Sequence, residues 1–252
     1  GGGFKLLKYL MDFVNYDPDA HTLELAIPNP TGKQRIALSE RESKQELKKY
    51  GVKIPEEYVA ADLEQLEKLD IQFPAAAKIV SPDILHKSDV GGVKLNIQNL
   101  EELKAAFGEV MDNAKRHCPD ARIDGVLINR MLPPGVEFIV GVNSDPQFGP
   151  MVLCGLGGVF VEVFQDAALY PVPLGREEAL GMIRSLKGYK LLAGYRGGKE
   201  GDVEALAELV VQIAAYAAAN KDTLAELDIN PVFVYPKGEG AAIADALIVK
   251  LQ

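Results

Sequence analysis

Beyond Pro74, apolar runs of strand length and amphipathic runs of helix length follow one another without strict alternation, and that order constrains the fold more than any single motif. Ala75–Val80 reads as a buried strand and Val93–Ile97 as a second. Further strands are predicted at 125–128, 137–142, 151–154 and 160–164, with the turn Ser144-Asp145-Pro146 between the second and third of these. Three more, at 225–229, 232–235 and 241–249, close the chain. Helices are signalled by their ends. Ser39 with Glu42, and Asn99 with Glu102, have capping-box spacing, and Gly51 stops the first of these helices. Behind Asn99, the residues Leu103, Phe107, Val110 and Ala114 fall on one helical face. Two more helices are predicted, at 177–186 before Gly188 and over Val203–Ala219 behind the cap Asp202. A doubly wound sheet requires regular strand–helix alternation, whereas strands in runs with helices interspersed predict an α+β fold.

Residues 1–36 stand apart, with Pro18, Pro28 and Pro30 and no sustained period; an N-terminal extension is predicted there, with a strand or hairpin near 23–27. The start, Gly1-Gly2-Gly3-Phe4-Lys5, lacks a signal-peptide cleavage pattern, and no apolar stretch reaches the roughly 18–20 residues that span a bilayer. A net charge of -9 without a basic stripe argues against nucleic acid as a main partner, although nucleotide binding needs only a few local donors. Cys118 lies in a polar turn and Cys154 in an apolar run, which is neither a disulfide framework nor a metal cluster. Both read as reduced thiols, and the chain as a cytoplasmic protein with no membrane contact.

Three stretches have the residue types of a reactive site. The first runs from Lys78 through Ser81, Asp83, His86 and Ser88 to Gly91-Gly92-Val93. A lysine in an apolar strand is costly to bury unless an anion meets it. The glycine pair allows close backbone approach, and successive N–H groups in such a loop can cradle phosphate oxygens. A tight hairpin with a snorkelling lysine would read the same way. His86 within this loop is placed either to accept a phosphoryl group or to hydrogen-bond the loop, unlike His21 and His117, which read as surface residues. The second stretch is Glu226-Leu227-Asp228-Ile229-Asn230-Pro231 with Asp245 on the last strand. Asp228 and Asn230 share a strand face, and carboxylate and amide oxygens suit Mg²⁺, with phosphates completing its shell. A solvated strand end turning at Asn-Pro is the alternative. The third is Gly155-Leu156-Gly157-Gly158 followed by Glu162 and Asp166, equally readable as a flexible strand connection.

From Ser39 to the C-terminus the chain resembles the ATP-grasp subunit of NDP-forming acyl-CoA synthetases, the acetyl-CoA synthetase (ADP-forming) family. The resemblance is carried by Ser39-Glu40-Arg41-Glu42-Ser43-Lys44 with Tyr50-Gly51, the Lys78 to Val93 stretch, and Gly135-Val136-Glu137-Phe138-Ile139-Val140-Gly141. It continues through Asp145-Pro146-Gln147-Phe148-Gly149-Pro150, the stretch Gly155 to Val163, Gly194-Tyr195-Arg196-Gly197 and Glu226 to Pro231. The succinyl-CoA synthetase β subunit is a more distant relative, sharing Lys44, the glycines and the Asn-Pro dipeptide.

The resemblance implies an ATP-grasp fold of two lobes, each a β-sheet with helices, holding ATP between them: residues 37–130 as the N-terminal lobe and 131–252 as the C-terminal lobe, after the 1–36 extension. It implies that Lys44 and Lys78 contact the nucleotide, that the loop Ser88, Gly91, Gly92 and Val93 closes over the phosphates, and that the segment 128–131 (with Arg130 and Met131) meets adenine. Glu137 falls on the ribose side. Asn230 and Asp245 hold Mg²⁺, with Asp228 a supporting acid. His86, with Lys78 as the other catalytic residue, relays a phosphoryl group between ADP/ATP and a phosphohistidine on a CoA-binding alpha subunit, in an alpha2beta2 assembly. Four positions depart from the family pattern: Leu247 replaces an arginine, Gln165 a lysine, Tyr170 an arginine and Arg130 an acid. These lost or altered charges keep a second reading open, a regulatory or scaffolding ATP-grasp module that binds nucleotide without turnover.

Overall fold

The structure, a computed structural model, describes residues 34–81, 83–84, 87–145, 148–157, 166–194 and 197–252. The predicted strand or hairpin near 23–27 and the run 160–164 lie outside these residues. The chain divides into two compact units, one joining the described residues up to Ile54 with Pro134–Gln252 and the other formed by Pro55–Pro133.

The first unit opens with β1 (Arg35–Ala37) and α1 (Glu40–Lys48). Both halves of the predicted capping box form: Ser39 Oγ accepts the Glu42 N–H at 3.3 Å, and Glu42 Oε2 accepts the Ser39 N–H at 2.9 Å. Residues 37–54, expected in the N-terminal lobe, pack instead with the C-terminal part of the chain. Strand pairing accounts for this, because β1 completes the edge of the C-terminal sheet, with Arg35 opposite Leu251 and Ala37 opposite Val249. Leu47 of α1 is fully buried in the same core as the C-terminal strands, and Ser43 Oγ accepts the Ile248 N–H at 3.0 Å.

The Pro55–Pro133 unit contains β2 (Glu57–Ala60), α2 (Leu63–Glu67), β3 (Ala75–Val80), β4 (Val93–Ile97), α3 (Leu100–His117) and β5 (Gly125–Arg130). Its four described strands form an antiparallel sheet in the order β2-β5-β3-β4. The predicted apolar face of α3 is the buried one: Leu103, Phe107, Val110 and Ala114 pack against Ala75, Ala77 and Ile79 of β3 and Val126 and Ile128 of β5. Burying each large side chain here stabilises the unit by about 1.5–3 kcal/mol. Alternation along the strands leaves Ala76, Lys78, Leu127 and Asn129 on the opposite face. Gly125 is held at φ 138, and a Cβ there would stand 2.5 Å from the Ala60 carbonyl oxygen, so only glycine fits where β5 passes β2.

The first unit resumes with β6 (Val136–Asp145), β7 (Gly149–Leu156), β8 (Ala167–Pro171), α4 (Arg176–Ser185), α5 (Tyr189–Leu192), α6 (Val203–Ala219), β9 (Leu224–Val234), β10 (Ala241–Ile243) and β11 (Ala246–Leu251). Among the described residues its sheet runs β1-β11-β9-β6-β7-β8, with β10 also paired to β9. Val140, Val142, Val152, Leu227, Ile229 and Ile248 face Leu206, Val210, Ile213 and Ala217 of α6 and Met182 and Ile183 of α4. Asp202 fixes the start of α6, as predicted: Oδ1 accepts the Ala205 N–H at 3.1 Å, while Oδ2 accepts the N–H groups of Gly238 and Gly240 at 2.9 Å each.

Two strand predictions change. The segments 225–229 and 232–235 are one strand, β9, that continues through Pro231, because the ladder with β6 is irregular between Phe138 and Val140 and a residue without an N–H is accommodated there. The predicted strand 241–249 is broken into β10 and β11 at Ala244 and Asp245. There the Ala244 N–H turns to the Pro231 carbonyl at 3.0 Å, and Asp245 Oδ1 accepts the N–H of Ala246 at 2.8 Å. Asp245 therefore precedes the last strand rather than lying within it. No helix among the described residues is long and apolar enough to cross a membrane.

Candidate functional site

The Pro55–Pro133 unit holds the first group of predicted site residues. Lys78 stands on β3 between Leu127 of β5 and Val93 of β4, half-buried, on the sheet face turned away from α3. After Ser81 the chain is tied down by Asp83, whose Oδ2 accepts the Arg122 N–H at 2.7 Å, and by Ile84, which is buried in the core. It is tied again where the Gly92 N–H donates to the Lys87 carbonyl at 2.7 Å and the Gly91 N–H to the Ser88 carbonyl at 3.1 Å. His86 lies between these anchors in sequence and outside the described residues.

In this conformation the N–H groups of Gly91 and Gly92, expected to cradle phosphate, are both donated within the turn. The glycines are required for packing instead. Gly91 has φ 64 and its carbonyl accepts the Asn113 side-chain amide at 3.1 Å, while a Cβ on Gly92 would meet Ile79 Cγ2 at 2.7 Å. At the end of β5, the Met131 N–H donates to the Pro74 carbonyl at 2.8 Å, and the Arg130 guanidinium donates to Gln72 Oε1 at 2.8 Å. The arginine that departs from the family pattern thus has a structural partner in its own unit.

The other unit holds the acidic group. Glu226, Asp228 and Asn230 follow one another on β9, and alternation puts Glu137 of β6 on the same face as Asp228, which stands opposite Gly141 of β6 and Leu247 of β11. Glu226 is ion-paired with Arg35, a partner that sequence reasoning missed because it falls in the predicted extension. Asp228 is 8 % exposed. Burial, and next the nearby charge of Asp245, push its carboxyl up to about 6. Leu247 lies directly opposite and supplies no counter-charge. Among the described residues no group of three or more His, Cys, Asp or Glu is placed to hold a metal. Two carboxylates that repel each other beside an amide oxygen nevertheless fit one hard cation whose remaining ligands come from elsewhere.

Lys44, expected to contact nucleotide, is ion-paired on its own helix. Its side chain is 2 % exposed and its ammonium is 2.8 Å from Glu40, one helical turn earlier. Glu137 is exposed, with its carbonyl accepting the Gly157 N–H at 2.7 Å. The glycine stretch at the end of β7 has the structural reading: a Cβ on Gly155 would lie 2.8 Å from the Asp166 carbonyl oxygen. Asp166 itself accepts the N–H groups of Lys187 at 2.8 Å and Gly188 at 2.6 Å. Gly158, Glu162 and Gln165 lie outside the described residues, and Tyr170 is half-buried on β8.

The state of Asp228 has a measurable consequence. An ordinary aspartate loses its proton near 3.8 and this one near about 6, so between those values the folded protein binds more protons than the unfolded one. Stability from this group is therefore present at low pH, falls as pH rises through the window, and is lost above about 6, a change on the order of 3 kcal/mol. Asp228→Asn is expected to flatten this part of the stability curve and to raise the melting temperature at pH 7.5, as followed by circular dichroism. Parallel curves for the two proteins would contradict it.

Comparison with known proteins decides the family. The ATP-grasp domain family matches residues 31–249. The chain belongs to the ATP-grasp family. Within it, the beta subunit of acetate–CoA ligase (ADP-forming) II of Pyrococcus furiosus is 46% identical over 217 residues, covering 85% of this chain and 92% of that one. The beta subunit of isozyme I from the same organism is 49% identical over 209 residues, covering 82% and 88%. Among solved structures, the dinucleotide forming acetyl-coenzyme A synthetase 1 of Ca. Korarchaeum cryptofilum, in complex with coenzyme A and Mg-AMPPCP and with its phosphohistidine segment pointing towards the nucleotide binding site, superposes with a TM-score of 0.73. That pair is 40% identical and covers 86% of this chain and 93% of that one. The α+β architecture of two antiparallel sheets with helices is thus an ATP-grasp fold, and these two Pyrococcus furiosus relatives are ligase beta subunits.

Proposed function

We propose that this chain is the nucleotide-binding beta subunit of an ADP-forming acyl-CoA synthetase, an acid–thiol ligase interconverting acid, CoA and ATP with acyl-CoA, ADP and phosphate. The observation that carries the reading is the match to two such beta subunits along 92% and 88% of their lengths. Lys78 meets the nucleotide phosphates, and the loop from Ser88 to Val93 closes over them after its internal hydrogen bonds open. Arg130 and Met131 flank adenine, and Glu137 serves the ribose. Asp228, Asn230 and Asp245 hold Mg²⁺, whose charge relieves their repulsion and neutralises the phosphates during transfer. His86 takes the phosphoryl group from a phosphohistidine of a CoA-binding alpha subunit, that N–P bond breaking as a new one forms, and passes it to the terminal phosphate oxygen of ADP. An alpha2beta2 assembly in the cytoplasm fits this division of labour.

Calorimetry on the purified chain tests the binding half of the proposal. ADP and ATP are expected to bind in the presence of Mg²⁺ and to weaken about tenfold or more when it is chelated. Negligible heats for both nucleotides with a folded protein would remove the reading. The rival reading, a regulatory or scaffolding module that binds nucleotide without turnover, is favoured by one observation, the uncharged Leu247 opposite Asp228. It predicts the same heats but no phosphoryl transfer with the alpha subunit present.

A further inference from the structure

We propose that the carboxamide of Asn129 reads the nucleotide base and selects adenine over guanine; the inference rests on the nucleotide-binding reading above. Asn129 is the penultimate residue of β5, next to Arg130 and Met131. It pairs with Ala76 of β3, as Leu127 pairs with Lys78, so its side chain belongs to the same sheet face as the lysine, away from α3. Its Nδ2 donates to the Arg130 carbonyl at 3.1 Å. A carbonyl oxygen can only accept, so this bond fixes which end of the amide is nitrogen and leaves Oδ1 as the remaining acceptor.

That Oδ1 is buried and, among the described residues, has no hydrogen-bond partner. Folded proteins seldom leave a buried acceptor without a donor, and such exceptions ask for a ligand or other function. The neighbouring Met131 N–H is already committed to the Pro74 carbonyl and is not free to pair with Oδ1. An acceptor in this place calls for an N–H. Adenine carries an amino group at its 6-position, whereas guanine carries a carbonyl oxygen there. Adenine would donate to Oδ1; guanine would set two lone-pair-bearing oxygens against each other, and neither could be paired. A site built around a buried acceptor rejects the analogue that lacks the donor more strongly than an apolar pocket does.

The test compares Mg²⁺-dependent binding, by calorimetry, of ADP, GDP and purine riboside 5′-diphosphate, which has hydrogen at the 6-position. Wild-type protein is expected to bind ADP about tenfold or more tightly than either of the others. In Asn129→Leu the affinity for ADP should fall to that for the purine riboside diphosphate. Asn129→Asp, which keeps an acceptor in place and gives up the donation to Arg130, should keep the order ADP over GDP; this variant and the wild-type comparison decide the matter if Asn129→Leu does not fold. Equal affinities of wild-type protein for all three, or undiminished discrimination in a folded Asn129→Leu, would overturn the assignment while leaving nucleotide binding intact. Failure to bind any of the three would overturn both.

Discussion

Lys78→Ala is expected to weaken Mg²⁺-ADP binding about 100-fold and to slow phosphoryl transfer by at least as much, with the fold unchanged. The size follows from what an ammonium does beside phosphate in a partly desolvated setting, where removing one preorganised donor typically costs about 10²–10³. The separation of binding from stability follows from the sheet. Ala75, Ala77 and Ile79 project into the α3 core, whereas Lys78 projects from the other face and belongs to neither hydrophobic cluster. A change of melting temperature within about 2 °C is therefore expected, as for a substitution outside the core. Lys78→Arg should recover only part of the affinity, since a planar guanidinium does not reproduce a compact ammonium. Calorimetry and thermal unfolding on the same samples check all three points. Unchanged affinity in Lys78→Ala would reduce the residue to a snorkelling lysine on a hairpin. A fall in affinity accompanied by a large drop in melting temperature would make its role structural.

The features that could be read from the sequence are those governed by neighbours a few residues away. The Ser39/Glu42 capping box forms in full, and Asn99 Oδ1 accepts the Glu102 N–H while Glu102 accepts the N–H of Gln98, because each bond needs only one turn of helix to close. The strands 75–80 and 93–97 and the helix Val203–Ala219 keep their predicted bounds; a largely buried strand such as 75–80 and an Ala-rich helix announce themselves by composition. Features set by distant partners were less legible. β1 has the exposed, mixed sequence Arg-Ile-Ala and exists because β11, more than 200 residues later, offers it an edge. β2 and β8 are short and half-buried, with too little alternation to show a period. In the site, residue types were readable but not their partners. Lys44 spends its charge on Glu40, the amides of Gly91 and Gly92 on their own turn, and Glu226 on Arg35. Asn129 had a visible signal, a carboxamide ending the apolar run Gly-Val-Leu-Ile, but the missing partner of its oxygen appears only in three dimensions.

His86→Asn is expected to abolish phosphoryl exchange between ADP and the reconstituted alpha subunit, by roughly 10³-fold or more, while Mg²⁺-ADP affinity changes less than about threefold. The imidazole has a lone pair available near neutral pH, so it can take a phosphoryl group and return it. Asparagine keeps hydrogen-bonding capacity at a similar reach but offers no nitrogen that can be phosphorylated. The neighbouring anchors make this a clean substitution. Ile84 in the core, Asp83 on the Arg122 amide, and the Gly92 bond to the Lys87 carbonyl hold the chain on both sides of position 86 without using the imidazole. Transfer is best followed with ³²P, by incorporation into the alpha subunit and chase into ADP, alongside calorimetry for affinity. Near-normal transfer by His86→Asn would leave the histidine a loop-bonding residue. Loss of ADP binding together with transfer would place it in nucleotide recognition instead of the relay. Transfer lost with affinity retained is the result expected of a covalent phosphohistidine step at His86.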